Sequence, residues 1–210
     1  MLEKLPDFVG HALRDTRAGL DHVVARKLDL GAGADTITLQ AADFTDHGAM
    51  PLRHTADGDG TSPALHWSNV PDGASALVLV VEDADSPTPQ PLVHAIVVGL
   101  PGAEGGLEEG AMNDELSLPP PGRLGRNSFL KAGWLPPDPP PGHGQHRYVF
   151  QLFALGAHDA GELDGAPGRD AVVAVLEKCA VASGTLVGVY ERPDGSIRVE
   201  DGEPPPLAAA

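Results

Sequence analysis

Along most of the chain the apolar residues come in short runs separated by Gly, Pro, Asp and Asn; only two segments show the three-to-four spacing of a helix. The runs "ITL" (37–39), "ALVLVVED" (76–83), "HAIVVGL" (94–100), "RYVFQLFAL" (147–155) and "GTLVGVYER" (184–192) have strand length and strand composition. Every position from Leu77 to Val81 is apolar, which predicts a central strand buried on both faces.

The first helical segment is N-terminal. Leu5, Val9, Ala12, Leu13, Leu20 and Val23 recur at helical spacing with Arg14, Asp15, Arg17 and Asp21 between them, predicting an amphipathic helix from Pro6 to Lys27. Such a helix either packs on its own domain or pairs with a second subunit. The second segment, "GRDAVVAVLEKCAVASG", predicts a helix with Asp170 as its N-cap and Gly184 just past its end. The segments 101–128 and 134–145 are long loops rich in Gly and Pro, and loops of this length usually carry function or lack fixed structure. The expected organisation is a helical extension (1–30), a mainly β body (31–195) and an acidic, Pro-rich, disordered tail (196–210).

Composition agrees with strands and loops, since 26 Gly and 21 Pro among 210 residues leave little room for long helices. The formal charge is −16, and the first 28 residues hold 5 Lys and Arg against 4 Asp and Glu, so the acidic excess belongs to the body. A field of that sign repels nucleic acid and anionic membrane surfaces, so neither is an expected partner. The N-terminus lacks the apolar block of a secretory signal, and no apolar run approaches the roughly 20 residues of a membrane helix. A cytoplasmic protein is the expectation. The single Cys, Cys179, has no intrachain partner and reads as a small buried hydrophobe. "GHGQHRY" precedes a strand rather than a helix, which excludes it as a phosphate loop of the nucleotide-binding kind.

The chemistry concentrates in "EDADSPTPQPLVHAIVV" (82–98), where acids end one apolar run, prolines fill a turn and a His opens the next run. If the flanking strands are antiparallel neighbours, Asp83 and His94 lie at the same end of the sheet. His146 opens another strand after a Pro-rich loop, so the three ionisable groups can gather at one rim. Proline loops hold their shape at small entropic cost and suit a preformed pocket. A carboxylate beside two imidazoles favours imidazolium, which turns the site into a receptor for a small anionic or polar ligand. A hydrogen-bonded structural His and a turn-terminating Asp are the plainer alternative. Two His and one Asp also suit a metal, but no HxH or HExxH spacing supports one, and none is expected. His54, His66 and His143 carry no pattern of their own, and His66 reads as surface or turn.

"SPALHWSNVP" (62–71), "EDADSPT" (82–88), "HAIVVGLP" (94–101) and "PPPGHGQHRYVFQLFAL" (139–155), in this order, resemble the phosphatidylethanolamine-binding protein family in its bacterial YbhB/YbcL, Raf-kinase-inhibitor-like branch. The likeness runs from Thr36 to Arg192. It implies two packed antiparallel sheets with a Greek-key connection, a few peripheral helices and no cofactor. It also implies a small anion pocket lined by Asp83, His94 and His146, joined by Tyr148 as a phenol donor, with Asp85 and Pro87 shaping the turn and Arg147 and Trp67 structural. Trp134 and Pro136 are implied to face the ligand as well, although Trp134 stands where many members have Tyr, and Pro136 and Asp138 stand where they have glycines. A backbone N–H is thereby lost at Pro136, and a negative side chain enters at Asp138.

The leading expectation is a binding protein for a phosphate- or carboxylate-bearing ligand, able to regulate a protein partner and to form a homodimer through the N-terminal helix or a sheet edge. One alternative is an enzyme using Asp83, His94 and His146 for general acid–base isomerisation, cyclisation or hydrolysis. The other is an interaction or inhibitor module acting through its long loops.

Overall fold

The run Ala76–Asp83 (β4) has no polar face between Leu77 and Val81, and the rest of the chain packs around it. The computed structural model describes residues 6–157 and 163–192; Leu5 and the acidic tail expected over 196–210 lie outside the described residues. The other strands are Thr38–Ala41 (β1), Gly48–Ala49 (β2), Leu65–Ser68 (β3), Leu92–Pro101 (β5), Gly105–Leu107 (β6), Arg123–Leu124 (β7), His146–Leu155 (β8) and Ala180–Tyr190 (β9). They form a three-stranded sheet of order β1-β3-β6 and a six-stranded sheet of order β2-β9-β8-β4-β5-β7.

Alternate residues of β4 serve two cores. Leu77, Leu79 and Val81 join Leu39, Leu65 and Trp67 of the small sheet and Tyr148, Phe150 and Leu152 of β8. Ala76, Val78 and Val80 join Val172, Val175 and Leu176 of the helix Arg169–Cys179 (α3), together with Val24. Each fully buried Val or Leu contributes about 1.5–3 kcal/mol. A strand with two apolar faces is therefore stable only at the centre of the large sheet.

Three expectations need correction. The N-terminal helix is not continuous: Asp7–Leu13 (α1) and Val24–Lys27 (α2) are helical, and the stretch between them contains one 3-10 turn at Leu20–His22. The cause is the β4–β5 turn, whose Ser86 and Ala84 carbonyls accept from the Ala18 and Gly19 amides, while Gly19 adopts φ 95°. These amides are thereby removed from any helix. The C-terminal helix is also shorter than expected. Its N-cap is Gly168 rather than Asp170, and the chain passes at Ala180 straight into β9. Periodicity cannot separate helix from strand in "AVASG"; the long antiparallel register with β8, from Leu155↔Ala180 to His146↔Tyr190, decides it. Finally, the large sheet is mixed rather than purely antiparallel, because β2 runs parallel to β9 along its outer edge. Among the described residues, no helix is long and apolar enough to cross a membrane.

Candidate functional site

The site lies where β4 ends and its two antiparallel neighbours begin. Asp83 is in register with Leu92 of β5 and with Tyr148 of β8, so Asp83, His94 and His146 come from three adjacent strand ends. A bulge sets the aim of His94: the pairing jumps from Val81↔Ala95 to Glu82↔Val93 and leaves His94 unmatched. Val93 packs in one core and Ala95 in the other, although regular alternation would put them on the same face. The extra residue turns His94 toward the pocket, a common use of bulges beside functional sites.

His146 is held on both sides by protein. Its Nδ1 lies 2.8 Å from Asp83 Oδ2, and its Nε2 lies 2.7 Å from His143 Nδ1. His143 Nε2 donates in turn to the Leu13 carbonyl at 2.9 Å. A carbonyl can only accept, so His143 carries its proton on Nε2 and its Nδ1 accepts from His146. The remaining contact needs a proton as well, so Asp83 and His146 share one between them. Gly142 and Gly144, at φ 77° and 92°, let the loop turn far enough to bring the two imidazole centroids within 4.7 Å, the rings tilted at 57°. Arg17 closes this side by donating to the carbonyls of Gln145 (2.8 Å) and His143 (3.0 Å) and pairing with Asp85 (3.0 Å).

His94 is wired differently. Its Nδ1–H donates to the Leu135 carbonyl at 2.6 Å, which leaves Nε2 as a bare lone pair. Among the described residues, His94 Nε2 and the Tyr148 hydroxyl are buried without a hydrogen-bond partner. Both rings touch, edge to face, at 5.0 Å. A cavity of about 50 Å3 is lined by Asp83, His94, His146, Pro136, Asp138 and Leu135, with Pro87, Pro139 and Pro140 completing its walls. Phe129, 56% exposed, stands at its mouth.

Charge in the pocket is balanced rather than positive. Burial holds the His94 pKa below its ordinary value, outweighing Asp83, which pulls it up. This corrects the expectation that both imidazoles are favoured as imidazolium; for His94 desolvation wins. Burial, reinforced by Asp83, pushes the Tyr148 phenol well up, so it stays protonated. Burial alone would raise Asp85, yet hydrogen bonds from Arg147 and Arg17 hold it below the usual carboxylate value. Asp138 does enter the cavity lining, but Arg192 pairs with it at 2.8 Å while donating to Asp57 (2.7 Å) and to the Pro139 carbonyl (2.8 Å). Arg192 thus pins the proline wall.

Of the six residues expected to bind ligand, the cavity lining includes Asp83, His94, His146 and Pro136. Tyr148 and Trp134 are not part of that lining and pack beside it, Tyr148 against His94. Trp134 stacks on Phe150 at 6.1 Å and donates its indole N–H to the His54 carbonyl. His143, Leu13 and Arg17 were missed. The spacing of His143 and His146 in "GHGQH" is a signal that could have found the first; nothing local marks the other two.

Elsewhere, buried His54 pairs with Asp43 (2.6 Å) and donates Nδ1–H to the Thr61 carbonyl, while Arg53 bridges Asp43 and Glu109. Asp43, His54 and Glu109 are close enough to chelate a cation, but the Arg53 guanidinium already balances the carboxylates. A wider, open groove of about 570 Å3 runs along Thr88–Val93, Arg126 and Arg169. Among the described residues it holds none of the unpartnered buried side-chain atoms, so the chemistry lies in the smaller cavity.

The comparisons with known proteins meet this geometry over the same segment. The family model "Phosphatidylethanolamine-binding protein" matches residues 40–191. A UPF0098 protein of Methanothermobacter thermautotrophicus is 34% identical over 158 residues, covering 74% of this chain and 99% of that one. One from Aquifex aeolicus is 31% identical over 163 residues, covering 77% and 92%. Among solved structures, the chain resembles Escherichia coli YbcL, described as a member of the mammalian PEBP family, at 27% identity and a TM-score of 0.68, over 75% of this chain and 99% of that one. It also resembles a phosphatidylethanolamine-binding protein homologue from Chlamydia trachomatis, at 29% identity and a TM-score of 0.65 over the same shares. With the matched segment running from β1 to the end of β9 and enclosing the Asp83, His94 and His146 pocket, the chain belongs to the phosphatidylethanolamine-binding protein family.

Proposed function

We propose that this protein binds a small ligand bearing a phosphate or carboxylate group in the cavity at the β4, β5 and β8 ends, without turning it over. The observation that carries the reading is a buried His94 with an unpartnered Nε2 lining a small cavity. Buried polar atoms are almost always satisfied, so an orphan at a cavity wall marks where a ligand completes the bonding. The proline walls support binding because they need no ordering when the ligand arrives. Occupancy would stiffen the loop 134–141, through which a ligand can regulate a protein partner.

A thermal-shift titration tests this. Inorganic phosphate or phosphoethanolamine at a hundred times its Kd adds about 2.7 kcal/mol, a rise of several degrees in Tm, and His94→Phe should abolish the rise. Absence of any shift in the wild type would refute the reading. One observation favours the catalytic alternative: a neutral His94 with a bare Nε2 is in the state a general base requires. Turnover of a small phosphorylated or carbonyl compound that vanishes in folded His94→Phe would move the assignment to an enzyme.

A further inference from the structure

We infer that the pocket recognises its ligand through a proton on the ligand, taking a hydrogen phosphate group and refusing the equally shaped but proton-free sulfate. The inference rests on the phosphate or carboxylate reading above and specifies the species bound.

It follows from an inventory of donors and acceptors around the cavity. His94 Nδ1–H is spent on the Leu135 carbonyl, so Nε2 presents only a lone pair. Both nitrogens of His146 are spent, one on Asp83 and one on His143. Asp83 and Asp138 contribute carboxylate oxygens, which accept and never donate. Ser86 Oγ lies within bonding distance of the Asp83 carbonyl and of Thr88 Oγ1. Pro87, Pro136, Pro139 and Pro140 have no N–H to offer. The Tyr148 hydroxyl, just behind the wall against His94, is the one donor left unspent among these groups. The cavity is therefore rich in lone pairs and poor in donors.

A tetrahedral anion with no proton would set its oxygen lone pairs against that of His94 Nε2, beside carboxylates that His146, the Asp85 amide and Arg192 already engage. Hydrogen phosphate has the same tetrahedral shape and size, and in both of its forms at neutral pH it carries an O–H that can donate to His94 Nε2. Burial keeps His94 neutral, so the imidazole does not supply the missing proton. A phosphomonoester loses its last proton near pH 6 and should enter as the monoanion.

The test is calorimetric titration of the full chain with sodium phosphate and sodium sulfate at equal ionic strength and neutral pH. Phosphate should bind and sulfate should bind about tenfold more weakly or worse, the cost of one unmade buried hydrogen bond. Equal binding of the two overturns the inference while leaving the anion site standing; binding of neither overturns both. His94→Gln, whose amide can present an N–H, should narrow the phosphate-to-sulfate ratio to about threefold or less. An unchanged ratio in the folded variant counts against the inference. Methyl phosphate gives a second measurement on the unaltered protein. Its affinity should rise about 20-fold between pH 7.5 and 5.5, following the monoanion, and a flat profile would refute the mechanism.

Discussion

His146 and His94 reach one cavity from neighbouring strand ends, and they are wired in opposite ways. His146 belongs to a closed side, where Asp83 and His143 use up both ring nitrogens, while Leu13 and Arg17, each bonded to His143, tie the N-terminal segment to the pocket. His94 belongs to an open side, with one nitrogen tied to Leu135 and the other bare. The difference teaches that two histidines at one cavity need not share a role. The saturated one frames the pocket; the unsaturated one leaves a lone pair open toward it.

The strongest way to break this contrast is to unlock the closed side. Asp83→Ala removes the partner of His146 and the acceptor of the Asp85 amide, which lies 2.8 Å from Asp83 Oδ1. Leaving half of a buried pair costs about 3–5 kcal/mol, measurable by urea unfolding, with Asp83→Asn recovering part of the loss. A change under about 1 kcal/mol would mean that the closed side is not a buried ion pair.

A smaller effect is expected one step farther back. His143→Ala leaves His146 Nε2 and the Leu13 carbonyl without partners and should cost about 1–3 kcal/mol. Its phosphate-to-sulfate preference should survive, because His94 is untouched. Loss of that preference would show that the two sides are not separable.

The smallest effect sharpens the contrast through pH. Burial holds both His94 and His143 below the ordinary His value of about 6.5. Between that value and the lower folded one, the unfolded chain binds more protons, so stability rises with pH. The Tm should be flat above about pH 7 and fall on acidification below about 6.5, with a shallower fall in His94→Phe. Stability that grew on acidification would contradict the assignment.

Much of the scaffold was readable without coordinates. The unbroken apolar run in β4 announced a strand with two cores, and the acids and His at the ends of "EDADSPTPQPLVHAIVV" announced a shared rim. Less was readable about the site's depth. Tyr148 follows His146 at strand spacing, so it was expected in the wall, yet the ring packs beneath both imidazoles and only its hydroxyl points to use. The N-terminal segment shows why local pattern fails: its helical spacing is real, but Ser86 and Ala84 offered its backbone better-placed acceptors.

By itself the sequence determined what depends on periodicity and residue type. That includes the central strand, the β-rich body, the proline walls and the three ionisable groups at strand ends. Tertiary structure decided what depends on register and on partners distant in the chain. The bulge that turns His94 inward is a one-residue slip between β4 and β5. Which imidazole nitrogen is left bare depends on where the carbonyls of Leu135 and Leu13 fall. A hydrogen bond needs two atoms within about 3 Å, and only the folded chain brings residue 13 to residue 143.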